Sequence, residues 1–100
     1  MANLNITEYS GILAYWTTAS AQMVVQPSVT VQNVAIAGAS AQSAAFNANT
    51  NIIRINTDAI CAVLVGSSPT ALTSSTRLVV GQTEYFGVKA GDKIAVIATT

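Results

Sequence analysis

The apolar run Ile60–Val65, bounded by Asp58 and Gly66, constrains this chain more than any other feature. It is too short for a globular helix and reads as a strand. That strand is buried on both faces, or buried on one and covered by a partner on the other. It lies inside a longer stretch, Asn51–Ile97, that holds seven of the eight charged residues and most of the long aliphatic ones. Asn51–Asn56 precedes it, with Ile53 and Ile55 on one face and Ile52, Arg54 and Asn56 on the other. The two runs together predict a β-hairpin at the centre of a sheet.

Turn signals divide the remainder. Gly66–Ser75 is an uncharged loop containing Pro69 and many Ser and Thr residues. Thr76–Val80 is a short strand, turned by Gly81-Gln82 into Thr83–Val88. In that strand Tyr85 and Gly87 alternate with Glu84, Phe86 and Val88. Lys89-Ala90-Gly91-Asp92 is a second turn, with Gly91 supplying the positive φ. Lys93–Ala98 closes the chain, Ile94 and Val96 on one face and Ala95 and Ile97 on the other. Upstream, Val29 and Val31 alternate with polar residues, while Val34 and Ile36 continue one step out of phase. That shift predicts a bulge at Gln32-Asn33. Ala39–Phe46, rich in small residues, is read as a further strand.

The count is about seven strands between residues 28 and 98, which predicts a β-sandwich or small jelly roll. Residues 1–27 differ. Ile12, Leu13, Tyr15 and Trp16 form one short apolar run and Met23–Val25 another, without sustained periodicity. They are read as an N-terminal extended arm ending at Pro27, with residues 28–100 as the sandwich domain. Tyr15 and Trp16 then pack either in the domain's own core or on a neighbouring subunit.

One hundred residues make one domain, and a small one has little surface-to-volume advantage. A single cysteine, Cys61, rules out an internal disulfide and reads as a small buried residue. Charge is scarce: four positive and four negative side chains, only Glu8 among the first fifty-three residues. A neutral, charge-poor chain tends to associate, so the composition suits a subunit of an assembly. Arg54, Arg77, Lys89 and Lys93 are scattered among acids, which argues against nucleic-acid binding. No apolar run reaches membrane-spanning length, and no signal peptide is expected.

Catalytic groups are sparse. There is no histidine, which removes the commonest general base and metal ligand. One cysteine cannot build a thiolate zinc site. Asp58 and Asp92 are read as turn residues, and Glu84 as a surface partner of Arg77 across the Val80–Gln82 turn. No phosphate loop is present. The expectation is a non-enzymatic protein with no catalytic residue, cofactor or metal.

Several motifs carry a resemblance. They are the step Ile53-Arg54-Ile55, the turn Asp58-Ala59-Ile60-Cys61, the loop Gly66 with Pro69-Thr70-Ala71, the strand Gly81, Glu84-Tyr85-Phe86, Val88, and the end Gly91, Lys93–Ile97. The lead-in Ala41–Phe46 joins them. Together they resemble small all-β virion structural proteins of tailed bacteriophages. The resemblance spans residues 40–98 and not the arm, and brings no catalytic or binding residues with it. It implies a capsid decoration (cement) protein on the virion surface, made in the host bacterial cytoplasm. The partner it implies is the major capsid protein, and a homo-oligomer, trimer or dimer, is expected. Ile12, Leu13, Tyr15 and Trp16 of the arm would meet the capsid. The alternative is a tail, collar or fibre component that anchors a fibre or binds host glycans, with Trp16 and Tyr85 as a stacking platform.

Overall fold

In the computed structural model, residues 2–14, 22–24 and 26–100 are described, with 12–14 and 22–24 given by their backbone alone. Ten strands run in chain order: β1 (Asn3–Tyr9), β2 (Ile12–Ala14), β3 (Gln22–Val24), β4 (Thr30–Ala35), β5 (Ala41–Gln42), β6 (Ile52–Thr57), β7 (Cys61–Gly66), β8 (Thr76–Leu78), β9 (Thr83–Gly87) and β10 (Lys93–Ala98). Eight of them build two four-stranded antiparallel sheets, ordered β4-β1-β6-β9 and β5-β10-β7-β8. The sheets pack as a sandwich, and β2 and β3 pair as a separate hairpin. The all-β sandwich expected from the strand pattern is therefore the fold.

Alternation explains which side chains enter the core. Along β1, Leu4 and Ile6 are fully buried while Asn3, Asn5 and Thr7 face away. On β6, Ile53 and Ile55 point inward, and Val34 and Ile36 do the same for β4 and the residue after it. The second sheet answers with Cys61, Val63, Leu78, Ile94 and Val96. Phe46 and the partly buried Phe86 and Val88 complete the layer. Burying an aliphatic side chain of this size is worth about 1.5–3 kcal/mol, so this layer is the main source of stability.

The N-terminal segment departs from the expected arm. Asn3–Tyr9 lies between β4 and β6, registered as Leu4↔Val34 and Leu4↔Thr57. Asn3–Tyr9 thus belongs to the sandwich rather than to an extended arm. The seven strands expected after residue 28 are present, and β1 is the eighth.

Four local expectations are corrected as well. β6 and β7 are not a hairpin, because they lie in opposite sheets. The Thr57–Ile60 link carries the chain from one sheet to the other, braced by Thr57, whose Oγ1 accepts from Ala59 N–H and donates to Ala59 O. β8 and β9 are likewise in different sheets. The β1–β4 register is unbroken, with no bulge at Gln32-Asn33. Val31 simply faces out, and Gln32 occupies the inward position. Finally, Ala39–Phe46 is a strand only at Ala41–Gln42. Beyond it, Ser43 Oγ accepts from Ile94 N–H at 3.0 Å while Ser43 N–H donates to Ile94 O. A side-chain oxygen takes the place of a ladder carbonyl there, and the regular pairing stops.

The loop 67–75 resolves how Ile60–Val65 can be apolar throughout. It leaves the end of β7, reaches the β5 flank, and returns to β8 on the far side of β7. Gln42 Nε2 donates to Pro69 O at 2.7 Å, and Ala71 N–H donates to Ser40 Oγ at 2.8 Å. The path crosses β10 and β7 on the side away from the core. There Ala62 and Ala95 point outward yet are 0% exposed, and Ala71 is buried with them. At Ala62 the second face of β7 is covered by the chain's own loop, while Leu64 on the same face stays exposed.

Candidate interaction surfaces

Glu8, Asp58, Cys61 and Glu84 each take part in a structural hydrogen bond. Glu8 points inward from β1 and is 1% exposed. Its carboxylate accepts from Thr50 Oγ1 at 2.7 Å, Asn47 N–H at 2.9 Å and Gln32 Nε2 at 3.0 Å. All three donors are neutral. Gln32 in turn accepts from Ala44 N–H at 3.0 Å and donates to Ala44 O at 3.3 Å. This network ties β1 and β4 to the 43–50 segment. A shallow pocket of about 230 Å³ lies over it, lined by Glu8, Thr30, Gln32, Ala44, Ala45 and Asn47.

Cys61 is buried in the core. Burial pushes its thiol up from the ordinary value of 9.0, a hydrogen bond to Thr57 opposes this, and the charge of Asp58 adds to it. Such a thiol is a poor nucleophile. Asp58 accepts from Asn3 N–H at 2.7 Å, which fixes the start of β1. Glu84 accepts from Gln82 Nε2 at 2.8 Å. Arg77, its expected partner, sits on β8 in the other sheet. Among the described residues no group of three His, Cys, Asp or Glu side chains could hold a metal.

Two surfaces remain. The first is the outward face of the β4-β1-β6-β9 sheet. Register places Asn33, Asn5, Asn56 and Thr83 in one row across all four strands. Val31, Thr7, Arg54 and Tyr85 form the next row. The amides are held: Asn5 Nδ2 donates to Asn33 Oδ1 at 3.1 Å, and Asn56 Nδ2 to Thr83 Oγ1 at 2.9 Å. Tyr85 is 52% exposed and stands directly opposite Arg54.

The second surface is the end of the sandwich formed by the β6–β7 link and the β8–β9 turn. Val79 and Val80 are 57% and 62% exposed there, and Ile60 is also exposed. The turn is rigid. Gln82 N–H donates to Val79 O, Gln82 Oε1 accepts from Val79 N–H, and Gly81 N–H donates to Thr57 O at 2.8 Å. Gly81 has φ 81°, the left-handed value that the third position of a type II turn requires. A cleft of about 370 Å³ opens between the sheets on the β8–β9 side, lined by Val63, Leu64, Val65, Thr76, Tyr85, Phe86 and Gly87.

Ile12 and Leu13 lie on β2, paired through the backbone with Val24 and Met23. Tyr15 and Trp16 lie outside the described residues. The amide rows had a sequence signal, the alternation of Asn3, Asn5 and Thr7 in the first nine residues. Their meeting with Arg54 and Tyr85 had none, because strand order decides it. No family model, curated protein or solved structure matches this chain.

Proposed function

We propose that this protein is a non-enzymatic structural component of a bacteriophage virion, a decoration protein that sits on the capsid surface and bridges neighbouring capsid subunits. The observation that carries the reading is the rigid apolar tip, Val79 and Val80, exposed on a chain with few charges. Interface cores are depleted of charge and rich in desolvated apolar side chains. A tip braced by these three hydrogen bonds loses little conformational freedom when it docks. The motif resemblance of residues 40–98 points the same way. A protein that binds only the assembled shell stabilises it by linkage, in proportion to its occupancy.

The proposed partners are the major capsid protein and further copies of this chain, as a dimer or trimer. Because Asn3–Tyr9 is committed to the sheet, the proposed tether is the segment after Ser10, which contains Ile12, Leu13, Tyr15 and Trp16. The test is a reconstruction of particles carrying the protein. Copy number in proportion to the capsid subunits supports decoration. Density confined to one vertex or the tail overturns it. Replacing Val79 and Val80 by serine should release the protein from capsids while leaving its melting temperature unchanged.

A further inference from the structure

We propose that the outward face of the β4-β1-β6-β9 sheet is a binding platform for an acidic polysaccharide, with Arg54 taking the carboxylate, Tyr85 a sugar ring and the asparagine row the hydroxyls. This face adjoins the apolar tip, since Asn56 Nδ2 also reaches Gly81 O and Gln82 O of the β8–β9 turn, but the proposal does not depend on the virion reading.

Charge complementarity selects an anionic ligand. Arg54 is the single charge in the two rows, at the middle of the face on β6. None of the four acids lies in either row, though the exposed Asp58 flanks the asparagine row at the start of β1. Glu8 is turned into the core under Thr50, Asn47 and Gln32. Glu84 is engaged by Gln82, Asp58 by Asn3 N–H, and Asp92 lies in the turn before β10. A guanidinium offers a planar fork that matches a carboxylate with two parallel hydrogen bonds.

The neighbours select a saccharide over a peptide or a bare anion. Tyr85, opposite Arg54 on the edge strand β9, presents an exposed ring against which the apolar face of a pyranose can lie. The asparagine row presents donors and acceptors side by side, the pattern vicinal hydroxyls need. Among the described residues, Asn33 Nδ2 and Asn56 Oδ1 have no hydrogen-bond partner, while the bonds of their other amide atoms fix their direction. Four strands at about 4.8 Å spacing make each row roughly 14 Å long, and adjacent rows are about 7 Å apart. A platform of this size spans more than one sugar unit of an extended chain.

The test uses the full chain and four polysaccharides: alginate, polygalacturonate and hyaluronate as acidic ones, dextran as a neutral one. Binding to at least one acidic saccharide and none to dextran is expected by calorimetry or affinity electrophoresis. Arg54→Gln and Tyr85→Ala should each weaken it roughly tenfold or more, with melting temperatures unchanged. Arg77→Gln, on the other sheet, should leave it intact. Polyglutamate serves as the non-saccharide polyanion and should bind at least tenfold more weakly. Absence of binding to all three acidic saccharides overturns the proposal. So does equal binding of polyglutamate, or equal loss on Arg77→Gln.

Discussion

Glu8 Oε1 accepts a 2.7 Å hydrogen bond from Thr50 Oγ1 across forty-two residues of sequence, with both side chains buried. The same oxygen takes Asn47 N–H and the other takes Gln32 Nε2. Truncating Glu8 orphans one buried donor, Thr50 Oγ1, and two part-buried ones on Asn47 and Gln32, a fully buried orphan being worth about 1–3 kcal/mol. Glu8→Ala should therefore lower stability by about 2–4 kcal/mol in urea denaturation at neutral pH. Thr50→Val should cost about 1–2 kcal/mol. The double variant should cost less than the two singles combined, since they share one bond. Strict additivity would show that the pair contributes nothing as a pair.

Ala62 and Ala95 face outward yet lie beneath the loop 67–75. Enlarging Ala62 to leucine must displace that loop, so Ala62→Leu should destabilise by about 1–3 kcal/mol. Leu64, next outward on the same strand, is exposed, and Leu64→Ser should stay within about 0.5 kcal/mol of the parent. Thermal denaturation of the two variants side by side reads the difference. A tolerated Ala62→Leu would mean that the loop does not cover the sheet.

Gly81 combines a φ of 81° with open space around its missing Cβ. The cost of a side chain there is conformational alone. Gly81→Ala should destabilise by about 1–2 kcal/mol. Gly38→Ala, also in open space and without a positive φ, should be neutral or slightly stabilising. Calorimetric melting of both variants checks the contrast.

Burial holds the Cys61 thiol above its ordinary value of 9.0. Above that pH the unfolded chain loses its thiol proton before the folded chain does. The folded state then binds more protons, so this group's contribution to stability falls as pH rises through the folded value. Comparison of wild type with Cys61→Ala between neutral pH and pH 10 should show a shallower alkaline decline in the variant. In the native protein at pH 8, a thiol reagent should label Cys61 at the rate of unfolding; rapid labelling would contradict its placement.

The turns and most strands were legible because their signals are local. Gly81 and Gly91 both take the positive φ that glycine permits, and Ile94 and Val96 alternate as the core demands. Strand partners were not legible. Asn51–Asn56 and Ile60–Val65 are separated by a tight polar step, which equally serves a hairpin or a passage between sheets. Only the burial of both layers decides between them. β1 was masked for a related reason. Leu4 and Ile6 alternate as a strand should, but the next inward position is Glu8, and a charge there breaks the apolar pattern. Its donors come from residues 32, 47 and 50, which no local window contains. The amide face shares this limit: Asn5, Asn33 and Asn56 become neighbours only once β1 is known to lie between β4 and β6.

The loop 67–75 has the composition of a site open to insertion, yet its course leaves it little freedom of length. From β7 it travels two strand spacings outward and three back, about 24 Å in all at about 4.8 Å each. Ten peptide steps between Gly66 and Thr76 reach at most about 35 Å fully extended, and the bend at Leu72–Ser75 uses part of that. Three fewer residues would leave almost no slack. Three more would lift Pro69 and Ala71 from Gln42 and Ser40. A stretch that reads as filler is therefore a measured strap, and peptide tags belong at another turn.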